Sequence, residues 1–333
     1  MEVQEKNHSR GKKKLYLLFA ASLLSGLFCA ILFQLGLFII PVTAAALASL
    51  FLAESRGRRI LSYIAPCILL VFDLVFNSVY SFNCLASVVL ALIIYLCFVK
   101  GRAKSECAVY ATVLISVFTV ISFILSAFFI TESFSLDVAA SFYSEQFENI
   151  KNEFLTIFRE LSAEGSESTE LFSEEDISLM FTSIYNSITS YIAVFAFTVS
   201  GIALKLFSAM SKSLSEFKAA RAEWRFKTSA LFAYFYYALV IFSFFISEAN
   251  VFGITVTNLY TVFMFVYAYV GYKYATSLLS ANLSRPFLAK VLVWIAIVFF
   301  SAFAIQLLSF IGAFITVVSN RRNNLPGTDG DID

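Results

Sequence analysis

One carboxylate stands inside an otherwise uncharged apolar run: Asp73, in Ile68-Leu69-Leu70-Val71-Phe72-Asp73-Leu74, with Asn77 one helical turn further on. An ionisable group held away from water is a functional-site candidate by default. The same side chain also suits a structural hydrogen bond between helices. A second polar set lies in a late apolar run, where Asn258, Tyr267, Gly271 and Lys273 are accompanied by Tyr260, Tyr269, Tyr272 and Tyr274. Tyrosines near a helix end form an interfacial belt, and Lys273 is placed to snorkel. Tyr267 and Gly271 also suit a pocket, since glycine removes bulk where a ligand or a helix approaches. Asp73, Asn77, Asn258, Tyr267 and Gly271 are therefore the candidate ligand-binding residues.

Other chemistry lacks material. Asp73 has no second intramembrane acid for an aspartyl dyad. The only histidine is His8, in the polar N-terminal tail, so histidine metal sites and a Ser–His pair are excluded. No phosphate-loop, dinucleotide or HExxH pattern occurs. The five cysteines, Cys29, Cys67, Cys84, Cys97 and Cys107, form no CxxC pair and read as small core hydrophobes. No catalytic residue, metal ligand or cofactor is expected, and the chain is not read as an enzyme.

The elements that must carry these residues follow from composition. Of 333 residues, 59% are apolar and 17% aromatic, while 14% are charged, against about 25% in an average globular protein. Mean hydropathy is +0.81. Lipid is the solvent that suits such a chain, and a net charge of +1 gives no field to recruit nucleic acid. The fold expected is all-α: a polytopic transmembrane helical bundle of nine to ten membrane segments with an extracytoplasmic amphipathic helical insertion. Residues 15–53 are nearly unbroken apolar sequence, about twice the length that crosses a bilayer, so a tight hairpin is expected near Gln34–Gly36. Further spans are expected at about Ile60–Tyr80, Phe82–Val99, Cys107–Ile130, Ser183–Leu206, Ser229–Ile246 and Val256–Ala275. The stretch Val291–Val318 is expected to fold back near Ser301–Ala304 as two short helices, with one long tilted helix as the alternative.

Every second connection is basic, which orients the spans. The N-terminal tail, the turn with Arg56, Arg58 and Arg59, the turn with Lys100, Arg102 and Lys104, and the segment Lys205–Lys227 mark the cytoplasmic side of the membrane. Residues 131–182 hold twelve acids against Lys151 and Arg159 and are placed outside. The expected organisation is a cytoplasmic basic tail (1–14), an N-terminal membrane bundle of about five helices (15–130), an acidic extracytoplasmic helical loop (131–182), a C-terminal membrane bundle of four to five helices (183–318) and a disordered polar tail (319–333).

Within the loop, Leu136, Ala140, Tyr143, Phe147, Ile150, Phe154, Ile157 and Leu161 make a heptad seam. It either packs on the protein's own outer surface or binds a partner, for which Tyr143, Phe147, Ile150 and Phe154 are the candidates. Ser173-Glu174-Glu175-Asp176 fits a capping box with Asp for Glu. Ser22, Gly26 and Ala30 form a small-residue stripe on the first helix. Such a stripe lets backbones approach, either inside the protein or against a separate membrane subunit.

Leu35-Gly36…Pro41…Ala53…Arg56-Gly57-Arg58, Phe217…Glu223-Trp224-Arg225-Phe226, Asn258-Leu259-Tyr260…Val266-Tyr267…Gly271 and Phe310-Ile311-Gly312…Asn320-Arg321-Arg322 follow one another in an order that resembles the YybS-like family of bacterial membrane proteins. The chain departs from that family in lacking Pro after Trp224-Arg225 and an Asp shortly after Gly312. The N-terminal half is similar in architecture to substrate-binding subunits of energy-coupling-factor transporters. The YybS-like family is one of unknown function, and the second similarity is of architecture alone; the polar residues at membrane depth give the expectation of solute binding or transport without an ATPase of its own, with membrane transporter subunits as partners alongside the lipid bilayer. The alternative is a structural or regulatory cell-envelope protein that binds a partner through the acidic loop.

Overall fold

The computed structural model describes residues 2–53, 60–76, 82–163, 173–211, 228–246, 250–282 and 286–323. Among them are eleven helices and no strand: α1 (Glu2–Ile31), α2 (Phe33–Ala53), α3 (Ile60–Phe76), α4 (Asn83–Val99), α5 (Lys104–Thr131), α6 (Leu136–Ala163), α7 (Glu174–Asn186), α8 (Ile188–Met210), α9 (Ala230–Phe245), α10 (Val251–Asn282) and α11 (Pro286–Asn323). Five stretches are long and apolar enough to cross a membrane: Lys14–Ile31, Lys104–Thr131, Ile188–Met210, Val251–Ala281 and Phe303–Asn320. Shorter apolar helices accompany them at Phe38–Ala53, Ile60–Phe76, Asn83–Val99, Ala230–Phe245 and Lys290–Phe300. The chain is a helical membrane bundle.

It divides into two compact units, residues 1–185 with 195–226, and residues 186–194 with 227–333. In the first unit α2 is the central helix. Residues Ala44 to Leu50 are completely buried on every side, as expected of a helix apolar all round, and their small side chains let neighbours close in. The α1–α2 reversal falls at Leu32, just before the expected Gln34–Gly36, and α1 then lies along α2. Gly101 adopts φ +66° in the short turn between α4 and α5, a left-handed conformation that glycine takes without strain.

The second unit contains α9, α10, α11 and the first turns of α8. Here α11 corrects one expectation. It is one continuous helix of 38 residues, so no fold-back forms near Ser301–Ala304. Ser301-Ala302-Phe303-Ala304 has no Gly, Pro or Asn to end a helix. The helix runs on to Asn323, into the tail expected to be disordered from 319. Residues 324–333, the rest of that tail, lie outside the described residues.

Candidate functional site

Asp73 sits three residues from the end of α3 and is 6% exposed. Its carboxylate accepts the backbone N–H of Cys84 at 3.1 Å and of Leu85 at 2.7 Å. Those amides belong to the first turn of α4, where helix geometry leaves donors without a partner. The residue before α4, Phe82, has no side-chain oxygen to cap them and makes no cap bond. Asp73 supplies the missing cap from another helix, and its acceptor oxygens lie at the positive end of the α4 dipole. Asn77, expected beside it, lies outside the described residues.

Asn258 does the same work in the second unit. Its Oδ1 accepts the N–H of Ser190 at 3.1 Å, in the first turn of α8. Its Nδ2 donates to the carbonyl of Asn186, the last residue of α7, at 2.8 Å, and to Ile254 at 2.9 Å. One amide thus satisfies both sides of the break between α7 and α8. Backbone at such a break, removed from water, needs partners of this kind.

Gly271 and Gly312 are the crossing point of α10 and α11. A methyl on Gly271 would collide with the carbonyl of Leu308, and one on Gly312 with the carbonyl of Tyr267. The bulk removed at Gly271 admits a helix backbone. Tyr267 lies one turn away and is 1% exposed, in a cluster with Tyr236, Tyr237 and Tyr260. Tyr236 donates to Ser309 Oγ at 2.6 Å, and Ser309 donates to the carbonyl of Gln306 at 2.6 Å. Tyr237 reaches the carbonyl of Phe310 at 3.3 Å, and Gln306 reaches the Tyr260 hydroxyl at 3.4 Å. The Tyr267 hydroxyl, 5.3 Å ring to ring from Tyr236, has no hydrogen-bond partner among the described residues. A buried polar group in that state is costly and calls for an explanation. Lys273 lies 5.0 Å over the ring of Tyr269.

Asp73 thus falls in the first unit, and Asn258, Tyr267 and Gly271 in the second.

The stripe on α1 faces inward. Ser22 and Ala30 are buried, and a methyl on Gly26 would meet a terminal methyl of Leu69 on α3 with Thr43 of α2 beyond it at 3.6 Å. Ser22, Gly26 and Ala30 therefore dock α1 onto α2 and α3 of the same chain.

In the acidic loop α6 is a single helix, as the heptad spacing predicts, but the seam is only partly covered. Tyr143 donates to the carbonyl of Phe123 on α5 at 2.8 Å, and burial pushes its hydroxyl pKa up. Phe147 meets Phe181 and Tyr185 of α7 at 5.7 and 5.2 Å, and Phe154 meets Phe181 at 5.6 Å. Ile150 and Ile157 remain 57% and 55% exposed. The expected capping box forms: Asp176 N–H donates to Ser173 Oγ at 3.1 Å and Ser173 N–H to Asp176 Oδ2 at 2.9 Å. The hydroxyl and amide of Ser173 hold the Asp176 carboxyl below its usual range. Arg159 of α6 grips Glu174 of α7 through two bonds of 2.7 Å and lowers that carboxyl likewise.

One site escaped sequence reading. A cleft of about 310 Å³ opens in the first unit, lined by Phe51 of α2, Ser62, Tyr63, Pro66 and Cys67 of α3, and Val88, Leu92 and Tyr95 of α4. Its only advance signals are Pro66 inside a helix and tyrosines near two helix ends.

A family model described as a predicted membrane protein (DUF2232) matches residues 17–314. The chain belongs to that family. The match takes in both units, so the caps at Asp73 and Asn258, the α10–α11 crossing and the cleft all fall within the DUF2232 region. No curated protein and no solved structure matches the chain.

Proposed function

We propose that this DUF2232 protein is a solute-binding component of a membrane transport system whose energy comes from separate subunits. The observation that carries the reading is the Tyr267 hydroxyl, buried in a cluster of four tyrosines and without a hydrogen-bond partner among the described residues. A hydroxyl left unsatisfied costs about 1–3 kcal/mol, and a small amphipathic molecule with one acceptor or donor relieves that cost on binding. The N-terminal half is similar in architecture to substrate-binding subunits of energy-coupling-factor transporters, an analogy that agrees with this reading. The sequence carries no ATP-binding motif, so in this reading ATP acts through separate subunits.

In this reading nine apolar helices, α1–α5 and α8–α11, lie in a bacterial cell membrane. The N-terminus is cytoplasmic and residues 131–182 are extracytoplasmic, following the alternation of basic connections. The test is gentle extraction followed by mass spectrometry of retained small molecules and partner proteins, on the wild type and on Tyr267→Phe. The wild type is expected to carry a small molecule and to gain thermal stability from it. Tyr267→Phe is expected to lose the molecule yet to be at least as stable when empty. A wild type that carries nothing, or a variant that retains the molecule at equal occupancy, overturns the reading.

A second reading has its own observation. Ile150 and Ile157 of α6 and Leu179 and Met180 of α7 are exposed on an acidic helix pair, and exposed apolar surface outside lipid marks interaction sites. An envelope partner would cover them. Deleting Leu136–Gly165 should then release a co-purifying envelope protein while the membrane helices remain folded.

A further inference from the structure

We infer that the open side of α6 docks a cationic amphipathic helix, one whose apolar heptad row is flanked by Lys or Arg. The inference rests on the second reading above, in which the acidic helix pair meets a partner outside the membrane. Two neighbours already hold α6. Tyr143 bonds α5 through the carbonyl of Phe123, and Phe147 and Phe154 meet Phe181 of α7. The same apolar seam then runs on uncovered. Ile150 and Ile157 are two turns and about 10.5 Å apart and stay more than half exposed. Phe154 beside them is 44% exposed. Apolar residues at heptad spacing, with nothing packed over them, are one half of a helix–helix interface.

The charges beside the row choose its occupant. Helical periodicity sets Phe147 and Phe154 along the edge that faces α7, and Glu153 and Glu160 along the other edge. Each glutamate follows an exposed isoleucine by three residues and is itself exposed. Neither makes an ion pair among the described residues, because the cations of α6 are committed elsewhere: Lys151 to Glu148 at 3.1 Å and Arg159 to Glu174 at 2.7 Å. In paired helices, charges flanking the seam select the partner. Since α7 occupies one edge, a second copy would have to bring its own Glu153 and Glu160 to the glutamate edge, like charge beside like charge. An anionic bilayer surface would be repelled in the same way. A helix with Leu or Ile in its row, and Lys or Arg beside it every seventh residue, answers both the apolar and the acidic feature.

The full chain in phosphatidylcholine nanodiscs is titrated with two fluorescent helical peptides of about three heptads each. One carries Leu in the row and Lys beside it, the other Glu in place of Lys, and empty nanodiscs supply the background. The Lys peptide is expected to bind the wild type about tenfold more tightly than the Glu peptide, and by a smaller factor at high salt. Glu153→Lys with Glu160→Lys should cancel or reverse that preference, and Ile150→Ser with Ile157→Ser should weaken the Lys peptide by about tenfold. Glu145→Lys, on the far side of α6, should change either affinity by no more than about twofold. Equal binding of the two peptides, or a preference that survives the double reversal, overturns the inference. So does pairing of two copies that Ile150→Ser abolishes. The wild-type comparison needs no variant, so a misfolded protein cannot decide it. The deletion of Leu136–Gly165 tests the partner reading separately. An envelope protein released by that deletion but retained by the charge-reversed chain leaves the partner reading standing and overturns the cationic helix; a deletion that releases nothing sinks the partner reading, whichever peptide binds.

Discussion

Removing the Asp73 carboxylate should loosen α4 from its first turn. In Asp73→Ala the amides of Cys84 and Leu85 lose their acceptor. A buried donor left unsatisfied costs about 1–3 kcal/mol, so two cost about 2–6 kcal/mol. Asp73→Asn keeps one acceptor oxygen and loses the other, which leaves a cost of about 1–2 kcal/mol. Unfolding in mixed micelles, followed by circular dichroism against rising dodecyl sulfate, measures both. Leu74→Ala, at a side chain 72% exposed, is the control for truncation alone. The decisive arm restores a local cap. Phe82→Asp, compared with Phe82→Ala to cancel the lost ring, should recover about 1 kcal/mol when Asp73 is absent and little when it is present. The reasoning fails if Asp73→Ala is no worse than Leu74→Ala, or if the Phe82 comparison gives the same value in both backgrounds. It fails equally if Asp73→Asn leaves stability untouched and abolishes solute retention.

The two helix crossings should respond unequally to a single methyl. Gly271→Ala meets the backbone carbonyl of Leu308 and should cost about 2 kcal/mol or more, whereas Gly26→Ala meets only a terminal methyl of Leu69 and should cost less than about 1 kcal/mol; equal costs in the same unfolding assay would contradict the crossing geometry. Asn258→Ala should destabilise by about 1–3 kcal/mol and expose the Ser190 amide to hydrogen exchange, because three bonds are lost at once. The start of α7 should fray in acid. Glu174 and Asp176 have folded pKa values below their ordinary 4.5 and 3.8, so their contribution is complete above those values and is lost as pH falls through the folded ones. Exchange over residues 173–180, corrected for intrinsic rate, should rise on acidification, and Glu174→Gln should remove the part owed to Arg159; a flat profile would contradict the cap and the ion pair.

Much of this architecture is legible without coordinates. The helices at 60–76, 83–99 and 104–131 stand close to where apolar run length puts them, and the capping box at Ser173 forms with Asp in the place of Glu. Local rules suffice there, since a helix carries its own signals over three or four residues. The role of Asp73 is not local. Its partners lie eleven and twelve positions away, and the sequence at Phe82 shows only that a cap is lacking. Gly271 is similar: composition says that something approaches closely, and only the fold says that it is the backbone of α11. The fold-back in α11 was expected because nine spans would put Arg321 and Arg322 outside and a tenth would return them to the cytoplasm, yet nothing at Ser301–Ala304 can stop a helix. The heptad on α6 gives the element correctly and the contacts incompletely, since Phe181 and Tyr185 of α7 cover Phe147 and leave Ile150 open.

The bond between Asp73 and α4 also bears on how the chain enters the membrane. Helices α3 and α4 are 17 residues each, about 26 Å long against a hydrocarbon core of about 30 Å. As it leaves the ribosome, α3 brings a carboxylate whose insertion alone costs up to about 3 kcal/mol. α4 follows with bare amides at its leading end. Each helix is a poor membrane segment alone, and each holds the group the other lacks. If both helices lie in the membrane as proposed, insertion is expected to wait until α4 has left the ribosome and then to proceed as a hairpin. A nascent chain arrested with α3 outside the exit tunnel and α4 still within it should have α3 at the membrane surface.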